Sequence, residues 1–372
     1  MASPTFYVAS PLGERTAGPE LLTQLVDALR RRHLEAYLIP MWTYRGRRNH
    51  PEYDRYDFEV ADRIADPDNA VLVVPEVSPI ESWRELAKVP RERTWMGWFS
   101  VNNSADPRAR YYKPSEATGS MYPPGFSPST PPQPPTGGQQ PLGSTLPDLW
   151  REARRRTGEF GGGLRAAAVQ TVSMRYARTV IESPIRFIAQ SFYAQGFCRE
   201  VLGRDALVMT DPMRVVDIGP VRKERNVVLF NQVKASSHAE ALAQRLPDVE
   251  FRPLGGKPYD DAMRDLASAT LYIELGHLPG RDRLPREAAF YGTPVVTLCR
   301  GAGYLWADVP LPVEDRIPYL DNWETPMVEA IQRVIADPHA ALERQASYRE
   351  WVVHEPERYE RAVDEWVALA VT

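Results

Sequence analysis

The sequence has few of the residues on which several common kinds of site depend. Its two cysteines, Cys198 and Cys299, are far apart and outside any CxxC spacing, so neither a zinc site nor a disulfide framework is predicted. We interpret them as two buried thiols of a reducing compartment. The six histidines show no HxxxH or HxH spacing. A metal site is therefore not expected, and no other cofactor is indicated.

Long apolar runs are also missing. No segment approaches about 18 consecutive apolar residues, so no membrane span is predicted. The first residues, MASPTFYVASPLGERT, have no basic region followed by an apolar one, and a secretory signal is not expected. These two absences, with the free thiols, predict a cytoplasmic protein.

Neither sign of charge dominates the chain. The net charge is −4 and the sequence pI is about 6.0, so there is no broad basic field and nucleic acid is not favoured as a partner. Two arginine clusters still leave a local nucleic-acid contact open: Arg45, Arg47 and Arg48, and Arg151, Arg154, Arg155 and Arg156. Lysine is scarce, and each one therefore merits inspection: Lys88, Lys113, Lys223, Lys234 and Lys257.

Strand-like and helix-like segments alternate along the chain. TFYVAS predicts a strand, and ELLTQLVDALRRRH after it predicts a helix with one apolar face. AVLVVPEV and TWMGWFSV are apolar without alternation, which is typical of strands buried on both faces of a parallel sheet. A helix is also predicted through YDFEVADRIA, residues 56–65. The alternation predicts an α/β fold, and 372 residues suit two domains.

A second alternating series begins at NVVLFN. There a loop, QVKASS, is predicted to precede the helix HAEALAQRL. Between the two series lies a segment rich in Pro, Gly, Ser, Thr and Gln, from Lys113 to Pro147. It predicts a long mobile loop within the first domain rather than a domain boundary. The loop could be a solvated insertion, an acceptor-side lid or a proline-rich docking site, and the sequence does not decide among the three.

The stretch HLPGRDRLPREAAFYGTPVV, residues 277–296, places several charged residues just before a buried strand. Helix N-termini and loop amides attract phosphate, and Arg281, Arg283 and Arg286 would add fork-shaped donors suited to oxyanions. Glu287, just inside the helix, could accept from two ribose hydroxyls. The pattern fits a nucleoside diphosphate, and a charged surface helix with internal ion pairs is the alternative.

Part of this stretch, RLPREAAFYGTPVV, resembles the donor-site signature of GT-B-fold glycosyltransferases, especially the family 4-like retaining group. The matching residues are Leu284, Pro285, Glu287, Ala288, Gly292, Pro294, Val295 and Val296. The resemblance implies two Rossmann-like domains facing a cleft, with a C-terminal helix that crosses back to the first domain. The domains expected are residues 1–215 with the returning helix 350–372, and residues 216–349.

The resemblance also implies an activity. A sugar would pass from a nucleotide sugar (UDP-, GDP- or dTDP-linked) to an acceptor hydroxyl, with retention and without a metal. The second domain would hold the donor and the first domain the acceptor. In the family, the glutamate that corresponds to Glu287 binds the ribose of the donor.

Other donor-site residues are predicted by position in the same motifs. Gly280 matches the glycine of the family motif, whereas Pro279 stands where the family has an earlier glutamate. We predict that Arg281 and Arg286 bind the donor phosphates, and that His277 or Asp282 lies near the sugar. In FNQVKASS, Lys234 stands where the family has a lysine facing the diphosphate, Asn231 stands near an expected arginine, and Ala235 replaces a glycine.

The first domain contributes weaker candidates. SPLGERTAGPELL is a Gly-containing loop that leads into a helix, and Gly13, Gly18 and Glu20 are its candidates for contact with phosphate or acceptor. A tight turn with a helix cap is the alternative. Asn102 follows a strand, and in open α/β sheets ligands lie beyond the carboxyl ends of the strands.

Three other functions are open at this stage. A nucleotide-sugar epimerase would share the fold and the donor site. A non-catalytic glycosyltransferase-like subunit is suggested by Pro279 and Ala235. A transferase that acts on modified DNA is left open by the two arginine clusters.

Overall fold

The computed structural model describes residues 3–77, 79–104, 106, 108–109, 112–115, 117–125 and 175–372. Most of the loop predicted from Lys113 to Pro147 lies outside the described residues, as does the arginine cluster at 151–156. Among the described residues, every helix is too short or too polar to cross a membrane.

The first half of the chain forms a six-stranded parallel sheet with the order β2-β1-β3-β4-β5-β6. Its central strands β3 and β4 are buried at every residue, as their non-alternating apolar sequences predicted. The strands are β1 (Thr5–Ser10), β2 (Ala36–Pro40), β3 (Ala70–Pro75), β4 (Thr94–Trp98), β5 (Arg186–Ala189) and β6 (Leu207–Val208).

Helices cover both faces of this sheet. The apolar face of α1 packs on one side of β1 and β3. The helices are α1 (Ala17–Arg30), α2 (Trp83–Leu86) and α3 (Phe192–Leu202), with a further helical stretch at residues 175–182. The helix predicted at residues 56–65 is wrong: this segment runs along the free edge of β2, where Leu38 N donates to Glu59 O and Ala61 N donates to Leu38 O. These backbone groups are consequently unavailable for helical bonds.

The second half of the chain forms a five-stranded parallel sheet with the order β11-β10-β9-β7-β8. Its strands are β7 (Val227–Asn231), β8 (Glu250–Leu254), β9 (Leu271–Glu274), β10 (Val295–Cys299) and β11 (Arg316–Pro318). Its helices are α4 (Gln232–Arg245), α5 (Tyr259–Ser268), α6 (Arg283–Phe290), α7 (Glu324–Ala336), α8 (Pro338–Arg344) and α9 (Ala346–Val353).

Helix α4 begins earlier than the sequence predicted. The expected loop QVKASS is its first part, because Asn231 Oδ1 accepts from Val233 N at 3.0 Å and caps the helix directly after β7. Lys234 therefore lies in the first turn of a helix rather than in a loop.

The last helix, α10 (Glu355–Ala370), returns to the first sheet. Its Trp366 is buried there, with ring centroids 5.5 Å from Phe6 of β1 and 6.1 Å from Trp95 of β4, both in edge-to-face geometry. The predicted α/β architecture is thus confirmed: two Rossmann-like parallel sheets, with a C-terminal helix that crosses back to the first.

Candidate functional site

The loop between β9 and α6 lies directly against the carboxyl ends of the first sheet. Val101 N donates to Pro279 O at 2.9 Å. A Cβ atom on Gly280 would lie 2.4 Å from Phe99 O and 2.5 Å from Gln190 Oε1, so only glycine fits this approach. Phe99 follows β4 and Gln190 follows β5. Ligands of open α/β sheets bind beyond such strand ends, so the candidate site lies at this junction.

Lys234 and Asp282, two of the predicted residues, are brought together at the junction. Lys234 Nζ, from the first turn of α4, pairs with Asp282 Oδ2 just before α6. Gly276 makes room for this lysine, because a Cβ there would lie 2.6 Å from Lys234 Cβ. The two side chains are 27% and 23% exposed, so a ligand can reach both.

His277 connects the second sheet to Asn102 of the first. Its Nε2 lies 2.7 Å from Asn102 Oδ1, while Asn102 Nδ2 donates to Ala109 O at 2.7 Å. Because the amide nitrogen is used there, Oδ1 is the acceptor and His277 carries its proton on Nε2. Nδ1 of the imidazole then remains an acceptor.

His277 is neutral at pH 7. Burial, helped by the charges of Arg300 and Lys234, lowers the pKa of His277 to about 4. A neutral imidazole at this position can accept a hydrogen bond from a hydroxyl, but it adds no positive charge toward a phosphate.

Glu287 is buried on α6 and not exposed to bulk solvent. It accepts from Tyr259 Oη at 2.7 Å, and the same hydroxyl lies 2.6 Å from Arg214 O in the segment that joins the two sheets. A phenol has one proton to donate, so it cannot serve both oxygens at once. Burial raises the pKa of Glu287, and a protonated Glu287 could itself donate to Tyr259. That Glu287 contacts ribose stays a prediction.

Arg281 and Arg286 have a different setting from the predicted one. Both are buried and both pair with Glu355, the first residue of α10. Arg286 NH2 also lies 3.0 Å from Asp211 Oδ1 in the segment that connects the sheets. Carboxylates already neutralise their charges inside the protein, and their predicted role as phosphate ligands stays a prediction. They join the second domain to both crossing segments.

Arg283 completes this buried network and also engages Glu20. It donates to Asp211 Oδ2 at 2.8 Å and to Glu20 Oε2 at 2.6 Å on α1. Tyr56 Oη donates to the other Glu20 oxygen at 2.8 Å. Both carboxylate oxygens of Glu20 are therefore used inside the protein, and its predicted contact with phosphate or acceptor stays a prediction.

The remaining predicted residues have local positions. Gly13 occupies a turn after β1 with φ of 85°, and Gly18 lies in the first turn of α1. Asn231 caps α4 with its side chain. In the described part of the chain, none of the three forms a hydrogen bond with Lys234 or Asp282, and their predicted contacts with a ligand stay predictions.

Sequence reasoning missed two charged residues at this edge. Glu274 ends β9 and is fully buried, where it accepts from Tyr272 Oη at 2.8 Å and Gly276 N at 2.9 Å. Burial, and then the nearby Asp282, raise the pKa of Glu274. Arg300 directly follows β10. The signal was present, because both residues end strands of a parallel sheet, which is the rule that singled out Asn102.

Metal ligands do not cluster in the described part of the chain. No group of three or more His, Cys, Asp or Glu side chains there could hold a metal ion.

Comparisons with known proteins rest on structure, because the sequence matches no family model and no curated protein. Sucrose-phosphate synthase from Thermosynechococcus elongatus is 11% identical, with a TM-score of 0.51 over 99% of this chain and 96% of that one. WaaG, a glycosyltransferase involved in lipopolysaccharide biosynthesis, is 9% identical, with a TM-score of 0.50 over 96% and 99%.

A third solved structure covers the whole of both chains. It is an alpha-glucosyltransferase in complex with UDP and a 13-mer DNA containing a HMU base, 8% identical, with a TM-score of 0.52. Identities this low show the fold alone. Taken with the two parallel sheets and the returning helix, they show that this chain has the GT-B fold found in glycosyltransferases.

Proposed function

We propose that this protein is a glycosyltransferase that moves a sugar from a nucleotide sugar to an acceptor hydroxyl. One observation carries the proposal: beyond the carboxyl ends of the second sheet, Lys234 pairs with Asp282, and His277 of the same region contacts Asn102, which follows β4 of the first sheet. Structures with the same fold are named as glycosyltransferases, and one was solved with UDP. These names support the proposal.

The proposed course of the reaction is retention without a metal. A bond forms between the acceptor oxygen and the anomeric carbon, and the bond from that carbon to the diphosphate breaks with its electron pair on the diphosphate. The acceptor proton passes to the leaving oxygen on the same face of the sugar. Lys234 would stabilise the charge that builds on the diphosphate, and Nδ1 of His277 would accept from a sugar hydroxyl.

Glu287 is proposed to bind the donor ribose, and its substitution tests the donor site. We expect at least one of UDP, GDP and dTDP to raise the thermal midpoint of the wild type, because a ligand that binds only the folded state stabilises it. Glu287→Ala should lower the affinity for that nucleotide by about 10–100-fold, because one or two charge-assisted hydrogen bonds are lost. Isothermal titration calorimetry measures the affinity.

Glu343→Ala is the matched control, because Glu343 lies exposed on α8 far from this junction. It should keep wild-type affinity. Equal affinity in wild type and Glu287→Ala would remove Glu287 from the donor site. A wild type that binds nucleotides but hydrolyses none of a panel of UDP-, GDP- and dTDP-sugars, with or without acceptors, would favour the non-catalytic subunit.

A hydroxyl on modified DNA is a second candidate acceptor, favoured by an aromatic–arginine cluster. Trp42 and Trp83 are 43% and 44% exposed, and the Arg84 guanidinium lies 3.8 Å and 5.2 Å from their ring centroids. Trp42 follows β2, and Trp83 follows the turn after β3, so both lie at the carboxyl edge of the first sheet. Aromatic and arginine planes of this kind stack on bases, and one structure of the same fold holds DNA.

A binding measurement decides between this acceptor and others. Trp42→Ala/Trp83→Ala should weaken binding of an oligonucleotide with hydroxymethyl-pyrimidines by about 10-fold or more, since stacking contributes about 1–3 kcal/mol per base. Fluorescence anisotropy at two salt concentrations measures it, because phosphate contacts weaken as salt rises. Leu369→Ala, an exposed apolar residue on α10, is the control. A nucleic-acid acceptor would be excluded if oligonucleotide binding did not depend on salt. It would also be excluded if the double variant bound the oligonucleotide as tightly as the wild type does.

A further inference from the structure

Arg300 is a buried guanidinium that lacks a carboxylate partner among the described residues. It is 6% exposed and directly follows β10. Its hydrogen bonds are two long ones from NH1, 3.5 Å to His238 Nε2 and 3.4 Å to Leu275 O. Its Cζ lies 4.2 Å above the ring of Tyr319. Burial lowers the pKa of Arg300, as expected for a positive charge that its surroundings do not neutralise.

The other buried arginines of the described chain have carboxylates or several backbone oxygens at close range, although Nε of Arg214 and Nε of Arg281 have no hydrogen-bond partner. Arg214, Arg281, Arg283 and Arg286 each pair with a carboxylate. Arg316, which is 3% exposed, has no carboxylate, but it donates to the backbone oxygens of Met121, Val309, Gly303 and Tyr304. A buried charge without such compensation costs several kcal/mol. Arg300 has neither a carboxylate partner nor a set of short backbone contacts in the described chain, so its charge is available to an anion.

Further basic groups converge on the same place. Lys234 and His238 are four residues apart on α4, so both lie on the same face of the helix. His238 contacts Arg300 and also stacks near Trp323, with ring centroids 5.1 Å apart. The positive charges of Arg300 and Lys234 both lower the pKa of His277.

Two carboxylates face this group, and each already has partners. Asp282 pairs with Lys234. Glu274 accepts from Tyr272 Oη and from Gly276 N, and it forms no salt bridge with Arg300. The positive charge of Arg300 is thus the one in this pocket that no described protein group neutralises by direct contact.

We propose that Arg300 is the oxyanion-binding residue of the donor pocket, at the ends of β9 and β10 beside Lys234 and His238. The anion is a negatively charged oxygen group of the donor, which is either the diphosphate or a carboxylate on a sugar acid. This inference rests on the proposed function, because it names the residue that would hold the charged part of the donor. It assigns to Arg300 the role that the sequence had suggested for Arg281 and Arg286.

Substitution of Arg300 by methionine gives opposite results for a ligand-binding and a structural role. Arg300→Met removes an uncompensated buried charge and keeps most of the volume, so the thermal midpoint of the ligand-free protein should stay the same or rise. Affinity for the nucleoside diphosphate that the wild type binds should fall about 10–100-fold, the loss of a charge-assisted bidentate contact. Arg300→Lys keeps the charge without the fork and should recover part of the affinity.

Arg316→Met is the matched control. It also removes a buried arginine, but it takes one donor away from each of four backbone oxygens, so the thermal midpoint should fall. A fall of the midpoint in Arg300→Met as well, with every affinity unchanged, would show that Arg300 has a structural role and would overturn the proposal.

Four ligands distinguish the sources of the anion: the nucleoside diphosphate, its nucleoside, inorganic pyrophosphate and the nucleotide-linked glucuronic acid. If Arg300 binds the diphosphate, Arg300→Met lowers the affinity for the nucleoside diphosphate and for pyrophosphate. The affinity for the nucleoside is then unchanged. If it binds a sugar carboxylate, the loss is confined to the glucuronic acid donor. Equal losses for the nucleoside and the phosphate ligands would count against the proposal, because a collapsed pocket would lose both.

Failure of this inference can be told from failure of the proposed function. If the wild type binds a nucleoside diphosphate through Glu287, and Arg300→Met weakens binding of neither that ligand nor the glucuronic acid donor, the donor site stands and this inference is wrong. If the wild type binds pyrophosphate through Arg300 but no nucleotide, the anion site stands and the proposed function is wrong. If the wild type binds none of the four ligands, both are wrong.

Discussion

Replacing Asp211 by alanine should lower the free energy of unfolding by about 3–5 kcal/mol, the cost of breaking a buried charge network on one side. Asp211 is fully buried in the segment that joins the sheets. It accepts from Arg283 Nε at 2.8 Å, Arg286 NH2 at 3.0 Å and Gln190 Nε2 at 2.6 Å. Without it, two guanidinium groups stay buried with one carboxylate fewer. Guanidinium denaturation at pH 7 measures the change.

Asp205→Ala is the control for this experiment, because Asp205 forms only an exposed pair with Arg199. It should change stability little. A loss in Asp211→Ala no larger than in this control would show that the network does not hold the two domains together.

The contribution of Asp211 to the free energy of unfolding should also depend on pH. Burial alone would raise its pKa, but the charges of Arg286 and Arg283 outweigh burial and hold the pKa of Asp211 well below its usual value. A depressed carboxylate pKa stabilises the fold above the unfolded value of about 3.9 and loses that contribution as the pH falls through the folded value. The difference between wild type and Asp211→Ala should therefore shrink below about pH 4.

Replacing Lys234 by methionine should lower kcat for glycosyl transfer by about 100–1,000-fold, the usual cost of removing one group that stabilises a developing oxyanion. Lys234 is the amine at the junction that we propose to face the leaving diphosphate, and it pairs there with Asp282. Since the charge grows only as the bond breaks, kcat should fall more than the affinity for the donor. Initial rates with a competent nucleotide sugar, or the rate of its hydrolysis, measure the effect.

Lys257→Met is the matched control. Lys257 also pairs with a carboxylate, Asp265, but its side chain is 43% exposed and lies outside the cluster around Lys234. It should keep nearly wild-type kcat. Retention of more than about a tenth of kcat in Lys234→Met would contradict the assigned role, because loss of an oxyanion contact of this kind lowers kcat by more than about tenfold.

The alternation of strands and helices could be predicted because it rests on local patterns. Runs such as AVLVVP and TWMGW form strands buried at every residue. Their apolar composition predicts this burial even when the neighbouring strands are not known. The errors occurred where a local pattern competed with a longer-range bond. Residues 56–65 have an apolar spacing that suits a helix, but the edge of β2 takes up their backbone groups.

Lys234 shows how a small error in an element changes a chemical prediction. Its position relative to the diphosphate was suggested by a motif in an expected loop, whereas the cap by Asn231 places it in a helix. The helix then puts His238 on the same face, next to Arg300. The start of α4 at Gln232 instead of His238, more than one helical turn earlier, therefore brings together basic groups that the sequence pattern did not connect.

The amino-acid sequence by itself determined the α/β class, the two sheets and the edge at which polar residues gather, because these follow from periodicity and from where strands end. Only the tertiary structure decided which charges are free. Arg281, Arg283 and Arg286 look alike in sequence, yet Glu355, Asp211 and Glu20, all distant in the chain, neutralise them. Arg300 meets no such partner among the residues that the structure describes. Whether a cation can bind a ligand depends on long-range partners, which no local pattern encodes.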